Sequence, residues 1–227
     1  MKNNLFIYLL LLVLTVGSVG CTKDNYEPPK SQLTGRVVYN GQPIGLRSNG
    51  VQLELWQHGY AFFSKIPVYV AQDGSFSALL FDGNYKMTRQ NGVGPWVNNT
   101  DSLDVKVSGN TIVDMPVTPY SIVKSATYQK NGTTITATAN IETVTTTNPL
   151  EAVRLYVFRT ALVDDFNQDA VFSLDAAQIP SVAQPLTLSV AIPTSLANAE
   201  AVYVRVGVKT AGVSELAYSP AEKIQLK

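Results

Sequence analysis

From Leu33 onward the chain alternates apolar and polar residues in short runs, punctuated by Gly, Asn, Asp and Pro. A period of two over a handful of residues predicts strands whose side chains face core and solvent in turn. The runs fall near 32–39, 51–57, 66–72, 75–81, 84–90, 101–107 and 110–117. Past Pro116 and Pro119 a second series follows, near 121–129, 133–143, 151–159, 185–192, 201–209 and 216–226. Asn40-Gly41, Asp73-Gly74, Asp82-Gly83 and Lys130-Asn131-Gly132 read as turns, because Asn, Asp and Gly accept positive φ at little steric cost. No run of helical period interrupts the series. The expected fold class is therefore all-β, as two consecutive antiparallel β-sandwich domains over 32–118 and 119–227. One stretch, 161–185, is irregular: DDFNQDA leads into SLDAAQIPSV, which reads as a short helical turn. A loop this long inside a compact domain is functional or mobile.

The first thirty residues have a different grammar. Lys2 precedes an apolar run from Leu5 to Val16 and then the small residues Gly17, Ser18 and Gly20. Residues 1–20 thus read as a secretory signal peptide, with an apolar run shorter than the ~20 residues of a membrane span. Cys21 follows at once and is the only cysteine, so an internal disulfide is impossible. In bacterial lipoproteins a small residue before cysteine marks the cleavage site, and the freed cysteine takes the lipid. The expectation is lipidation at Cys21, which would give the protein a lipid anchor in the outer membrane. Residues 21–31, with Pro28-Pro29, form a stiff extended tether. Lys23-Asp24 resembles the mark for surface export in Bacteroidetes lipoproteins, so the expected location is the cell exterior, with the periplasmic face as the alternative.

Charge narrows the function classes. With the signal peptide and its Lys2 removed, 16 basic residues stand against 17 acidic ones. That balance offers no basic stripe for nucleic acid. His58 is the lone histidine, so with Cys21 lipidated the ligands for a zinc site are lacking, and no cofactor is expected. Asp165, Asn167 and Asp169 alternate as in a calcium loop, but Ala170 and Ala176 occupy the positions where that loop requires Gly and Glu. No paired carboxylates for glycoside hydrolysis can be placed among Asp82, Asp101, Asp104 and Asp114, and Asp73 and Asp82 belong to turns. No nucleophile elbow or phosphate loop occurs. The chain reads as a non-enzyme.

Two resemblances sharpen the fold. Gly35, Val37, Pro43, Val51, Leu53, Asp73, Gly74, Phe76, Gly83 and Tyr85 occupy the pattern of the carboxypeptidase-regulatory-like, or transthyretin-like, sandwich over about 33–90. The stretch 201–220, AVYVRVGVKTAGVSELAYSP, resembles the last two strands of an immunoglobulin or fibronectin III-like sandwich. Lipoprotein signal, tether and two sandwiches together resemble an uncharacterised Bacteroidetes lipoprotein family encoded beside SusC/SusD-like pairs. The resemblance implies an accessory role at the outer membrane, with a SusC/SusD-like transporter pair and a glycan as partners. The alternative is a structural or adhesive surface module with no sugar affinity.

Aromatic residues supply the ligand candidates. In VQLELWQHGYAFF the alternation puts Val51, Leu53 and Leu55 on one face and Trp56 on the other with Gln52, Glu54 and His58. An indole among polar groups suits a sugar, whose apolar ring face stacks while its hydroxyls find hydrogen bonds. Trp56, His58, Tyr60 and Trp96 are the expected ligand-binding residues, with Phe62 and Phe63 following in the same loop. The competing reading has both tryptophans covering sandwich edges or the domain junction. Asp101-Ser102-Leu103 resembles a Bacteroidetes O-glycosylation acceptor, making Ser102 a candidate for modification; Asn98-Asn99-Thr100 is discounted in a bacterial chain.

Overall fold

A computed structural model describes residues 27–59 and 63–227. Cys21, the signal peptide, Tyr60 and Phe62 lie outside the described residues. The described chain is all-β, with seventeen strands and two single-turn 3₁₀ helices.

The first sandwich holds β1 (Ser31–Tyr39), β2 (Gln42–Pro43), β3 (Gln52–Trp56), β4 (Ile66–Tyr69), β5 (Ser75–Leu80), β6 (Gly83–Arg89), β7 (Leu103–Val107), β8 (Thr111–Ile112) and β9 (Met115–Pro116). One sheet runs β2-β1-β5, with β8 and β9 on the far edge of β1; the other runs β4-β3-β6-β7. Alternation drives both, with Leu33, Leu53, Leu55 and Met87 at 0% exposure and their strand neighbours turned outward. Asn40-Gly41 closes the first hairpin, both residues at positive φ. Asp82-Gly83 departs from expectation, because Gly83 opens β6 and no left-handed residue is needed there.

Purely antiparallel pairing fails at one place. The run expected at 110–117 splits into β8 and β9, and both pair parallel to β1. Asp114 explains the split. Its carboxylate accepts the Arg36 amide at 2.9 Å and the guanidinium at 3.1 Å, substituting a side chain for the strand's own carbonyl. A Cβ at Gly35 would lie 1.7 Å from the Val113 carbonyl oxygen, so the approach needs glycine.

The second sandwich holds β10 (Ser121–Asn131), β11 (Thr134–Thr143), β12 (Leu150–Phe158), β13 (Ala170–Asp175), β14 (Leu186–Ala191), β15 (Ala201–Thr210), β16 (Ala217–Tyr218) and β17 (Glu222–Gln225). A β10-β11-β14 sheet packs on β13-β12-β15, with β16 and β17 both paired to β15. The single run expected at 216–226 is thus two strands, interrupted at Ser219-Pro220, where proline removes a donor. Strand β13 lies inside the stretch expected to be irregular. It pairs in full register with β12 from Val157↔Ala170 to Ala152↔Asp175. Val171 and Phe172 are both exposed, so no alternation announced it. The short helical turn expected after it is the 3₁₀ turn at Ala176–Gln178.

The buried apolar side chains of the two sandwiches run into one continuous core. Arg205 on β15 joins them. It is fully buried and donates to three carbonyl oxygens, Ser219 at 2.6 Å, Leu46 at 2.8 Å and Gln72 at 2.9 Å. Two of these acceptors belong to loops of the first sandwich. The guanidinium also lies 4.4 Å from the Tyr218 ring centroid. Burial lowers its pKa to about 10, which leaves it charged at neutral pH. Tyr218 donates its amide to the Gly45 carbonyl at 2.9 Å, and a Cβ at Gly45 would stand 2.4 Å from the Tyr218 oxygen. The Arg47 guanidinium pairs with Glu215 beside this contact.

Candidate functional site

The outer face of the β4-β3-β6-β7 sheet gathers three aromatic side chains. Trp56 is half-buried on β3 and donates its indole N–H to Thr88 Oγ1 at 3.2 Å. The Phe63 ring, 52% exposed, sits 5.2 Å from the Trp56 ring, tilted by 36°. His58 stacks on Phe63 at 4.5 Å. Charged pairs border the aromatics: Lys65 with Glu54 at 2.6 Å, and Lys86, directly across from Trp56, with Asp104 at 2.6 Å. The surface therefore offers a cluster of mutually tilted aromatic rings with donors and acceptors at its rim, against which one apolar face of a pyranose ring can pack.

Trp96 is corrected. It is 2% exposed and unavailable as a platform. Its segment is pinned to the interdomain connection: Val97 donates to the Thr118 carbonyl at 2.9 Å, and Tyr120 donates to that of Pro95 at 3.1 Å. The ring lies so close over Gly94 that a Cβ there would come within 2.2 Å of it. Trp96 is core at the junction, and the two tryptophans are not brought together. Ser102 lies exposed in the approach to β7, beside a cleft of about 580 Å³ that Arg89, Thr145 and Thr147 also line.

The acidic residues are occupied. Asp164, fully buried, accepts the amides of Phe166 and Asn167 at 2.8 and 2.9 Å. Asp165 accepts from Arg154 at 2.8 Å and from the Tyr156 hydroxyl at 2.7 Å, and Asp169 pairs with Arg159. The DDFNQD loop is thus an ordered turn tied to the sheet by its own carboxylates. Hydrogen bonds from Ser75 hold the Asp73 carboxyl below its usual range, and those from Ser31 and Gly109 do the same for Asp82. Burial drives the Tyr156 hydroxyl well above its ordinary value. Among the described residues no group of His, Cys, Asp and Glu could hold a metal ion.

Sequence reasoning missed the cleft between the sandwiches, about 1160 Å³ in volume. Its walls come from the 39–48 and 71–75 loops of the first sandwich and from β10, Leu162 and Tyr218 of the second, over Arg205. One signal existed: Arg205 falls mid-strand between Tyr203 and Gly207, on the face of β15 opposite Val202, Val204, Val206 and Val208. A lone arginine in such a run needs buried acceptors.

Fold and site define a two-sandwich protein whose distinctive surfaces are an aromatic face and a junction cleft, with no assembled catalytic constellation among the described residues. Family comparison agrees. Residues 31–118 match the protein of unknown function (DUF3823) N-terminal domain, and 121–223 match the domain of unknown function DUF3823_C. The chain belongs to the DUF3823 family. A DUF3823 family protein from Bacteroides ovatus shares 40% identity over 87% of this chain and all of its own, with a TM-score of 0.82. One from Parabacteroides merdae shares 37% over 88% of this chain and all of its own, with a TM-score of 0.81. A Bacteroides uniformis protein described as a candidate carbohydrate binding protein shares the fold at 23% identity and a TM-score of 0.70, covering 87% of this chain and all of its own. No catalytic family is indicated. Comparison with curated proteins finds no match.

Proposed function

We propose that the protein is a cell-surface lipoprotein, anchored in the outer membrane through Cys21, that captures glycan as a non-catalytic accessory to a SusC/SusD-type uptake pair. The observation that carries the reading is the Trp56–Phe63–His58 cluster, an exposed aromatic surface bordered by paired charges on the outer face of a rigid sheet. Its support outside this chain is the shared fold of the Bacteroides uniformis protein described as a candidate carbohydrate binder. Apolar surface removed from water when a sugar face packs on the ring contributes about 25 cal/mol per Å², enough to make its loss measurable.

A glycan array probed with the mature protein and with Trp56→Ala tests this. Binding by the native protein that falls on Trp56→Ala is the expected result. Native protein that binds no glycan, or binding that ignores the substitution, overturns the platform. Metabolic labelling with a palmitate analogue tests the anchor, with labelling expected in the native protein and lost in Cys21→Ala.

A further inference from the structure

We propose that the cleft between the two sandwiches is a second ligand site, which takes an uncharged oligosaccharide. The inference rests on the glycan-capture reading and adds to it a site remote from the aromatic face. At about 1160 Å³ the cleft exceeds the ~300–1,000 Å³ of ordinary small-ligand sites, so it has room for several linked sugar rings. It is also formed in advance. Arg205, the Gly45–Tyr218 backbone bridge and the Gln72 amide, which donates to the Ala161 carbonyl at 2.8 Å, all cross between the domains. A ligand entering it does not have to close the domains, which lowers the cost of binding.

The lining selects the chemistry. Ile44, Ile122, Val123 and Leu162 supply apolar surface, and Asn40 and Gln42 supply polar edges. Alternation of this kind suits pyranose rings, apolar on their faces and hydroxylated on their rims. The charges of the lining single out no ionic ligand. Each ionised group lining the cleft is already engaged: Lys124 with Glu142 at 3.5 Å, Asp73 with the Ser75 amide and hydroxyl at 3.0 and 2.6 Å, and Arg205 with three carbonyls. Two acidic groups, Asp73 and Glu142, and two basic ones, Lys124 and Arg205, leave the lining without net charge, so it favours neither an acidic nor a basic ligand. Gln72 Oε1, by contrast, is buried at the cleft and has no donor among the described residues, while its amide nitrogen is committed to Ala161. A sugar hydroxyl is a donor of suitable size for it.

The test uses the mature protein carrying Cys21→Ser, so that it stays in solution, with ¹⁵N NMR titrations by cellohexaose, maltohexaose, xylohexaose and mannohexaose and by hexagalacturonate as the charged control. A neutral hexaose is expected to shift the amides of 39–48, 71–75 and 161–162 saturably, while hexagalacturonate leaves them in place. Ala161→Trp fills the cleft and Leu162→Asp charges it, both at exposed positions, and each is expected to weaken binding at least about tenfold with the melting temperature unchanged. The proposal is overturned if no neutral hexaose moves those amides, if hexagalacturonate binds them as well, or if both variants bind like native protein. Shifts confined to the Trp56 indole and its β3 neighbours also overturn the cleft, and they leave glycan capture by the aromatic face standing.

Discussion

Trp56 and Trp96 both belong to the first sandwich and end in opposite surroundings. Trp56 follows Leu55 on β3, on the face opposite the core, and among the described residues the exposed Phe63 is the ring beside it. Trp96 lies in a loop, where an aromatic residue is ordinarily exposed, and is buried to 2%. The strand position gave the half-exposed indole and the loop position gave the buried one. What separates them is cover. The connection at 117–120 returns over Trp96 as the chain passes into the second sandwich, while Trp56 meets only the half-exposed Phe63 ring among the described aromatic residues.

The sharpest way to break this contrast is to remove what holds the junction. Trp96→Ala comes first, at roughly 3–5 kcal/mol for a buried large side chain. Arg205→Ala leaves three carbonyl oxygens without their donor at the floor of the cleft, and a loss of about 3 kcal/mol is expected in urea unfolding. The single transition should also separate into two, one for each sandwich. Gly45→Ala drives a methyl into the Tyr218 carbonyl, and roughly 2 kcal/mol is expected from the same measurement.

Trp56→Ala sharpens the comparison from the other side. It loses one hydrogen bond and a half-buried ring, so about 1 kcal/mol is expected in unfolding while glycan binding falls. A loss equal to that of Trp96→Ala would erase the distinction between platform and core. The smallest effect concerns acid. Ser75 lowers the folded pKa of Asp73, so its contribution to stability is present above the unfolded value and drains as pH falls through the folded one. Asp73→Asn should lower thermal stability slightly at neutral pH and remove the part of its decline with acid that Asp73 contributes, so that the two proteins converge in melting temperature as pH falls below the carboxylate range.

The strands of both sandwiches were legible wherever one face is buried. In β3 the alternation of Val51, Leu53 and Leu55 against Gln52, Glu54 and Trp56 is a local property, since successive side chains of any strand point to opposite faces. Strand β13 was not legible, because its register comes from backbone pairing to β12 and its apolar residues stay exposed. The split of β8 from β9 was hidden for a related reason, as it depends on Asp114 reaching Arg36 seventy-eight positions away. Of the site, Trp56 and His58 could be placed together from their spacing, and the contacts of Phe63 with both rings came from the tertiary structure.

The sequence by itself determined the fold class and most of the strand positions, because both follow from residue types and their short-range order. Only the tertiary structure decided that Trp96 is core, that Arg205 ties the sandwiches together and that a cleft opens between them. Those depend on contacts such as Arg205 to Leu46, one hundred and fifty-nine residues apart, and no local pattern encodes which distant carbonyl a buried guanidinium will meet.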